Sequence, residues 1–187
     1  MEVKVKSNMD RAMRGLWNVK TKYIQKALTT SLNKIGAEVF TQAKRELRDA
    51  TGLKAGVVAK GLKKDKARKG DETYSIFIKS RYKNVIEFGA RQTKKGVSAK
   101  VWGKRRIYKG AFIGSGRNSG KQLVFARTSG ATKSGKKRIK ALHGASLPRE
   151  FHRGDMEKIF NKKIKKRFPI LFKRALEFHL MKARGRL

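Results

Sequence analysis

Thr73-Tyr-Ser-Ile-Phe-Ile-Lys79 decides the fold class. Its β-branched and aromatic residues read as a strand, and they follow a long segment with a different period. From Met9 to Leu47 the apolar residues Met9, Met13, Leu16, Trp17, Ile24, Leu28, Leu32, Ile35, Val39, Ala43 and Leu47 recur every three or four positions. That is helical spacing, and it predicts one long amphipathic helix, or two joined near Asn18 or Gly36. Ser7 and Asn8 are candidate N-caps, and Thr51-Gly52 is the stop. Leu53 to Leu62 reads as a short second helix before a turn region from Lys63 to Asp71.

Downstream of Thr73 the short period continues. Asn84-Val-Ile-Glu-Phe-Gly89 is a second apolar unit closed by glycine, and Ser98 to Trp102 and Arg106 to Tyr108 are further strand candidates. Ala111-Phe-Ile113 and Gln122-Leu-Val-Phe-Ala-Arg127 read as a hairpin around the Gly- and Ser-rich turn Gly114 to Gly120. A basic loop, Thr128 to Lys137, follows. After Pro148 helical spacing returns with Phe151, Met156, Ile159, Phe160, Ile164, Phe168, Leu171, Phe172, Ala175, Phe178 and Leu180. This predicts a helix from about Asp155 to Lys182 that Pro169 kinks or divides, because proline has no N–H to donate and its ring crowds the preceding turn. The order helix, strands, helix predicts an α+β fold: a long N-terminal amphipathic helix, a small antiparallel sheet with long basic loops, and a C-terminal helix kinked near Pro169. At 187 residues a single domain is expected, helical over 1–62, strands and loops over 73–127, a basic loop and motif over 128–149, and helical over 150–187.

Composition narrows the function. The chain carries 50 Lys and Arg against 13 Asp and Glu, a net charge of +37, with 39% hydrophobic residues. The apolar content suffices for a core, while the charge opposes compaction and calls for a polyanion or an acidic protein surface nearby. Without cysteine there are no disulfides, thiolate metal sites or cysteine nucleophiles, which fits a reducing compartment. No run of apolar residues is long enough to span a membrane, and the N-terminus has no secretion-signal core.

The charge is unevenly placed. Residues 88–149 hold 17 Lys or Arg and no carboxylate, whereas residues 1–60 hold 13 basic and 5 acidic residues. Protein surfaces ordinarily intersperse both signs. With loop glycines and the aromatics Trp102, Tyr108 and Phe112, this stretch suits contact with a phosphate backbone, blind to sequence. The candidate contact residues are Arg91, Lys94, Lys95, Lys100, Lys104, Arg105, Arg106, Lys133, Lys136, Lys137 and Arg138. Catalytic patterns fall short. Gly130-Ala-Thr-Lys-Ser-Gly135-Lys136 has P-loop spacing, but Lys137 stands where a magnesium-binding hydroxyl is needed and no apolar helix follows. His143, His152 and His179 lack metal-ligand spacing, Asp71, Glu72 and Glu87 are too few for a metal-dependent nuclease, and no serine sits in a nucleophile elbow. Arg153-Gly-Asp155 is a helix start, with Asp155 as N-cap. The chain is read as a non-enzyme needing neither metal nor cofactor.

Several segments carry a family resemblance: Gly110-Ala-Phe-Ile113, Leu123-Val-Phe-Ala-Arg127, and Arg138-Ile-Lys-Ala-Leu-His-Gly-Ala-Ser-Leu-Pro148 followed by Phe151. Leu32-Asn-Lys-Ile-Gly36, Thr51-Gly52-Leu53 and Ile86-Glu-Phe-Gly89 add to it. The chain resembles the minor tail protein Z and related tail-completion proteins of long-tailed bacteriophages. The family motif falls on Phe112, Phe125, Arg127, Ile139, Leu142, Gly144, Ser146 and Pro148, with Ala145 where many relatives have proline. The resemblance implies a structural virion protein at the neck or tail top, made in the host cytoplasm and acting late in head–tail joining. It further implies a homo-oligomeric, hexameric ring that meets the tail terminator or tail tube, the head connector and the DNA backbone, with no membrane partner. The acid-free stretch would then line the ring's lumen or touch DNA. The competing class is a sequence-independent nucleic-acid-binding protein, nucleoid- or ribosome-associated. Such a protein has no need of two long amphipathic helices, which a ring subunit can bury.

Overall fold

The computed structural model describes residues 2–5, 21–79, 82–116, 120–131 and 135–183. In chain order the elements are β1 (Glu2–Val5), α1 (Thr21–Thr51), α2 (Ala55–Gly61), β2 (Leu62–Asp65), β3 (Tyr74–Ile78), a 3-10 turn (Val85–Phe88), β4 (Arg91–Thr93), β5 (Gly96–Val101), β6 (Lys104–Lys109), β7 (Ala111–Ser115), β8 (Gln122–Ala131), β9 (Lys137–Ala141), α3 (Leu147–Arg153) and α4 (Met156–Ala183). The fold is α+β. Its strands form three antiparallel three-stranded sheets, ordered β1-β3-β2, β4-β5-β6 and β7-β8-β9. The chain divides into two compact units, the first made of residues 1–43, 62–78 and 155–187, the second of 44–61 and 79–154.

In the first unit β3 is the central strand, and alternate residues Tyr74, Ile76 and Ile78 are buried. They share a core with Ile24, Leu28, Leu32, Ile35 and Val39 of α1 and with Met156, Phe160, Ile164, Phe168 and Leu171 of α4. α1 thus buries the expected stripe from Ile24 to Leu47, and α4 buries most of its own while leaving Ile159 and Phe178 exposed. They run antiparallel, since Thr30 Oγ1 lies 3.2 Å from His179 Nε2, Arg167 pairs with Glu38 at 3.0 Å, and Lys163 donates to Gln42 at 3.0 Å. α1 passes through Gly36 without a break. The glycine is needed for clearance: a Cβ there would stand 2.4 Å from the Tyr74 ring. α4 likewise continues past the exposed Pro169, which leaves the Lys165 carbonyl without its usual amide donor.

The second unit begins with the last turns of α1. Gly52, at φ 75°, ends the helix by donating its N–H to the Arg48 carbonyl at 2.8 Å. Sheet β4-β5-β6 buries Val97, Ala99 and Val101 on one face, and sheet β7-β8-β9 buries Ala111 and Val124. Asn84 ties the 3-10 turn to β8. Its buried side chain accepts from Ile86 N at 3.0 Å and Val124 N at 2.9 Å and donates to Val124 O at 3.2 Å, so the amide takes the place of a strand partner.

Several elements depart from the sequence expectation. Asn84 to Gly89 is a 3-10 turn, because Asn84 caps it and Gly89 closes it in the left-handed region at φ 65°. Lys63 to Asp71 opens with strand β2, whose Leu62 is buried and whose backbone completes one edge of β3. The expected loop Thr128 to Lys137 is strand at both ends: β8 reaches Ala131 and β9 starts at Lys137, with Thr128 Oγ1 donating to Arg138 O and Arg138 Nε to Ala131 O. Trp102 falls in a turn, since β5 ends at Val101. The proposed caps Ser7 and Asn8, the stripe from Met9 to Trp17 and the break at Asn18 lie outside the described residues.

Candidate functional site

The second unit contains the whole acid-free stretch and carries 26 Lys and Arg against four Asp and Glu, compared with 24 against nine in the first. Strand register sorts the candidate cations, because residues opposite one another share a face. Arg91 is opposite Ser98, Ser98 opposite Ile107, and Lys100 opposite Arg105. Arg91, Lys100 and Arg105 therefore occupy one exposed face of sheet β4-β5-β6, together with Lys109 at the Gly96 position. Arg105 Nη1 donates to Ser98 Oγ at 3.1 Å. Lys104 and Arg106 stand on the opposite face of edge strand β6, beside Tyr108, whose phenol is pushed up by burial and lowered in part by Arg106. Lys94 and Lys95 form the exposed turn between β4 and β5, steadied by Thr93 Oγ1 donating to Gly96 O at 2.9 Å.

Lys136, Lys137 and Arg138 are exposed at the start of β9, and Lys133 lies outside the described residues. Arg138 is partly committed to closing its hairpin. The lysine of the P-loop-like segment leads into strand β9 where a nucleotide-binding loop would lead into a helix.

The family-motif residues cluster in two places. Phe112 and Phe125 are opposite each other with ring centroids 5.9 Å apart, and the Arg127 guanidinium lies 4.8 Å from the Phe112 ring centroid, within cation–π range. Ile139 is opposite Arg127 and 58% exposed, so this sheet face is apolar and open. Further along, Leu142 N donates to Val124 O and Gly144 N to Lys83 O at 2.7 Å, while Val85 N donates to Leu142 O. A Cβ at Gly144 would come within 2.7 Å of the Phe88 ring. Ser146 N-caps α3 through its backbone without a side-chain cap bond, and Pro148 lies in the helix's first turn.

The motif segment itself lines a cavity of about 690 Å³, through Leu142, Gly144 and Ser146. Its walls include Tyr82, Trp102, Lys140, Arg149, Glu150 and Arg153. Trp102 Nε1 donates to Glu150 Oε1 at 2.9 Å, and Arg149 Nη1 lies 3.4 Å from Tyr82 Oη. Arg149 closes the acid-free stretch and Glu150 ends it, so two signals in the sequence fall on this cavity, the family motif and the boundary of that stretch. In the first unit, His179 is held below its usual range by burial and by Lys26 and Lys182. Among the described residues no three His, Asp or Glu gather as a metal-sized group, and no helix is long and apolar enough to cross a membrane.

The second unit thus combines basic sheet faces, an apolar motif face and an aromatic-walled cavity within an α+β fold. The family model for the prophage minor tail protein Z (GPZ) matches residues 6–184, and the chain belongs to that family. It is therefore a phage minor tail protein, with a place in the virion tail. No curated protein and no solved structure matches the chain.

Proposed function

We propose that this minor tail protein completes the tail at the head–tail junction as one subunit of a ring. In this reading the basic faces of the second unit meet the DNA backbone or acidic surfaces of the connector and tail terminator. The observation that carries it is the exposed face of sheet β4-β5-β6, where Arg91, Lys100 and Arg105 lie together in a stretch without one carboxylate. Like charges placed opposite one another weaken a sheet, and a polyanion laid over them offsets that cost. Closed rings are built from repeated heterologous contacts, for which the open face of Phe112, Phe125 and Ile139 offers apolar surface.

The test replaces Arg91, Lys100 and Arg105 with Gln in one variant and Lys133, Lys136 and Lys137 with Gln in another, keeping Arg138, whose guanidinium closes the hairpin. Duplex affinity is expected to fall, with the salt slope reduced by about one unit for every phosphate no longer neutralised. An unchanged slope in either variant assigns the cations it replaces to protein contacts. Mass measurement at moderate salt addresses the ring: a closed oligomer, alone or on tails, is expected, and a persistent monomer on DNA supports a general nucleic-acid binder instead.

A further inference from the structure

We propose that the cavity bounded by Trp102 and Tyr82 is a binding site for unpaired nucleotides, a short single-stranded segment of nucleic acid whose bases enter while its phosphates meet Lys140, Arg149 and Arg153. The cavity's volume of about 690 Å³ falls in the range of roughly 300–1,000 Å³ typical of sites that enclose small ligands. The inference rests on the nucleic-acid reading above and narrows it to a location and a strand state.

Trp102 is the main support. It lies in the left-handed region at φ 53°, a conformation bulky side chains rarely adopt, as the first residue of the two-residue turn between β5 and β6. Its backbone N–H donates to Thr51 O at 2.9 Å and its indole N–H to Glu150 Oε1 at 2.9 Å, so both ends of the residue are fixed. The ring nevertheless remains 45% exposed and lines the cavity. Tyr82, 53% exposed, supplies a second ring, with its hydroxyl beside Arg149. Aromatic rings held in place among cations are the elements with which proteins bind single strands, because any base can stack on a ring while the backbone follows the charge.

Glu150 distinguishes between anionic ligands. It is 7% exposed and lines the same cavity. Its carboxylate repels carboxylates and phosphates alike and so leaves anionic groups to the exposed Lys140, Arg149 and Arg153, whereas a neutral nucleobase can approach it and donate an amino or imino N–H, which the acidic side chains of a peptide cannot. Duplex DNA keeps its base faces stacked and its edges paired, so it cannot use a concave site of this kind without unstacking. The exposed lysines and arginines of sheet β4-β5-β6 remain available for duplex backbone.

The experiment uses the full chain with Trp17→Phe, so that Trp102 alone reports. Tryptophan fluorescence is followed while a short oligothymidylate, a blunt-ended duplex hairpin or polyglutamate is added at fixed salt. Saturable quenching by the single strand, and none by duplex binding, is expected. Trp102→Gly suits the left-handed backbone and, read by the anisotropy of dye-labelled oligothymidylate and dye-labelled hairpin, is expected to weaken single-strand affinity about five- to a hundredfold while leaving duplex affinity unchanged. The pair Arg149→Gln and Arg153→Gln, which keeps the indole, is expected to lower both the quenching affinity and its salt slope. Quenching by polyglutamate at equal or lower concentration overturns the nucleotide assignment in favour of an acidic partner. Duplex binding without quenching by the single strand overturns the cavity site and leaves the surface reading standing. No binding of either nucleic acid overturns both.

Discussion

At position 36 a methyl group would not fit, because its carbon would fall 2.4 Å from the Tyr74 ring. Glycine in a helix interior ordinarily costs about 1 kcal/mol relative to alanine, so helix propensity alone favours Gly36→Ala. Packing opposes it: Tyr74 is fully buried, its hydroxyl has no hydrogen-bond partner among the described residues, and burial pushes its phenol up. The expected net result is a loss of about 1–3 kcal/mol, read as a lower denaturation midpoint at unchanged m-value, with shrinkage of the side chain at 74 restoring part of it. Sequence alone offers a helix-breaking role for Gly36, since nothing in Leu32-Asn-Lys-Ile-Gly36 names the aromatic ring that lies across it. The same limit hides Glu150 and Trp102. One is a solitary acid at the edge of a basic stretch and the other an aromatic near a glycine, and only the fold brings them within 2.9 Å.

Elements are legible where one face repeats. The stripes from Ile24 to Leu47 and from Met156 to Ala175 are buried at nearly every position expected of a helix, because a long periodic pattern leaves few alternatives. Short strands give weaker signals. β1 has only four residues, two of them charged, and β2 is charged at three of its four, and their strand state follows from pairing with β3; β9 is exposed at Lys137–Lys140 and owes its conformation to β8. Composition picks out the candidate cations without their faces, which register alone assigns. Lys100 opposite Arg105 then yields a prediction. Lys100→Glu converts a like-charged cross-strand pair to an opposite one and should stabilise the second unit by about 0.2–1 kcal/mol, seen as a rise in melting temperature at low salt. The same change should weaken duplex binding, so stability and affinity are expected to move in opposite directions.

Across the whole molecule both units are strongly basic, and the second has only four carboxylates to set against its 26 cations. Self-repulsion of this kind is relieved by counter-ions. Melting temperature is therefore expected to rise with sodium chloride over the physiological range and to rise further with a polyphosphate at equal ionic strength. A flat salt profile measured by circular dichroism would show that repulsion does not limit stability. Neither unit is one continuous stretch: the chain passes between them after residues 43, 61, 78 and 154. On the ribosome, domains form as their residues emerge from the N-terminal end. Here the second unit waits for α3, and the first, although it contains β1, waits for α4 at the far end of the chain. A copy truncated before Met156 therefore keeps every strand yet lacks the helix that closes its first core.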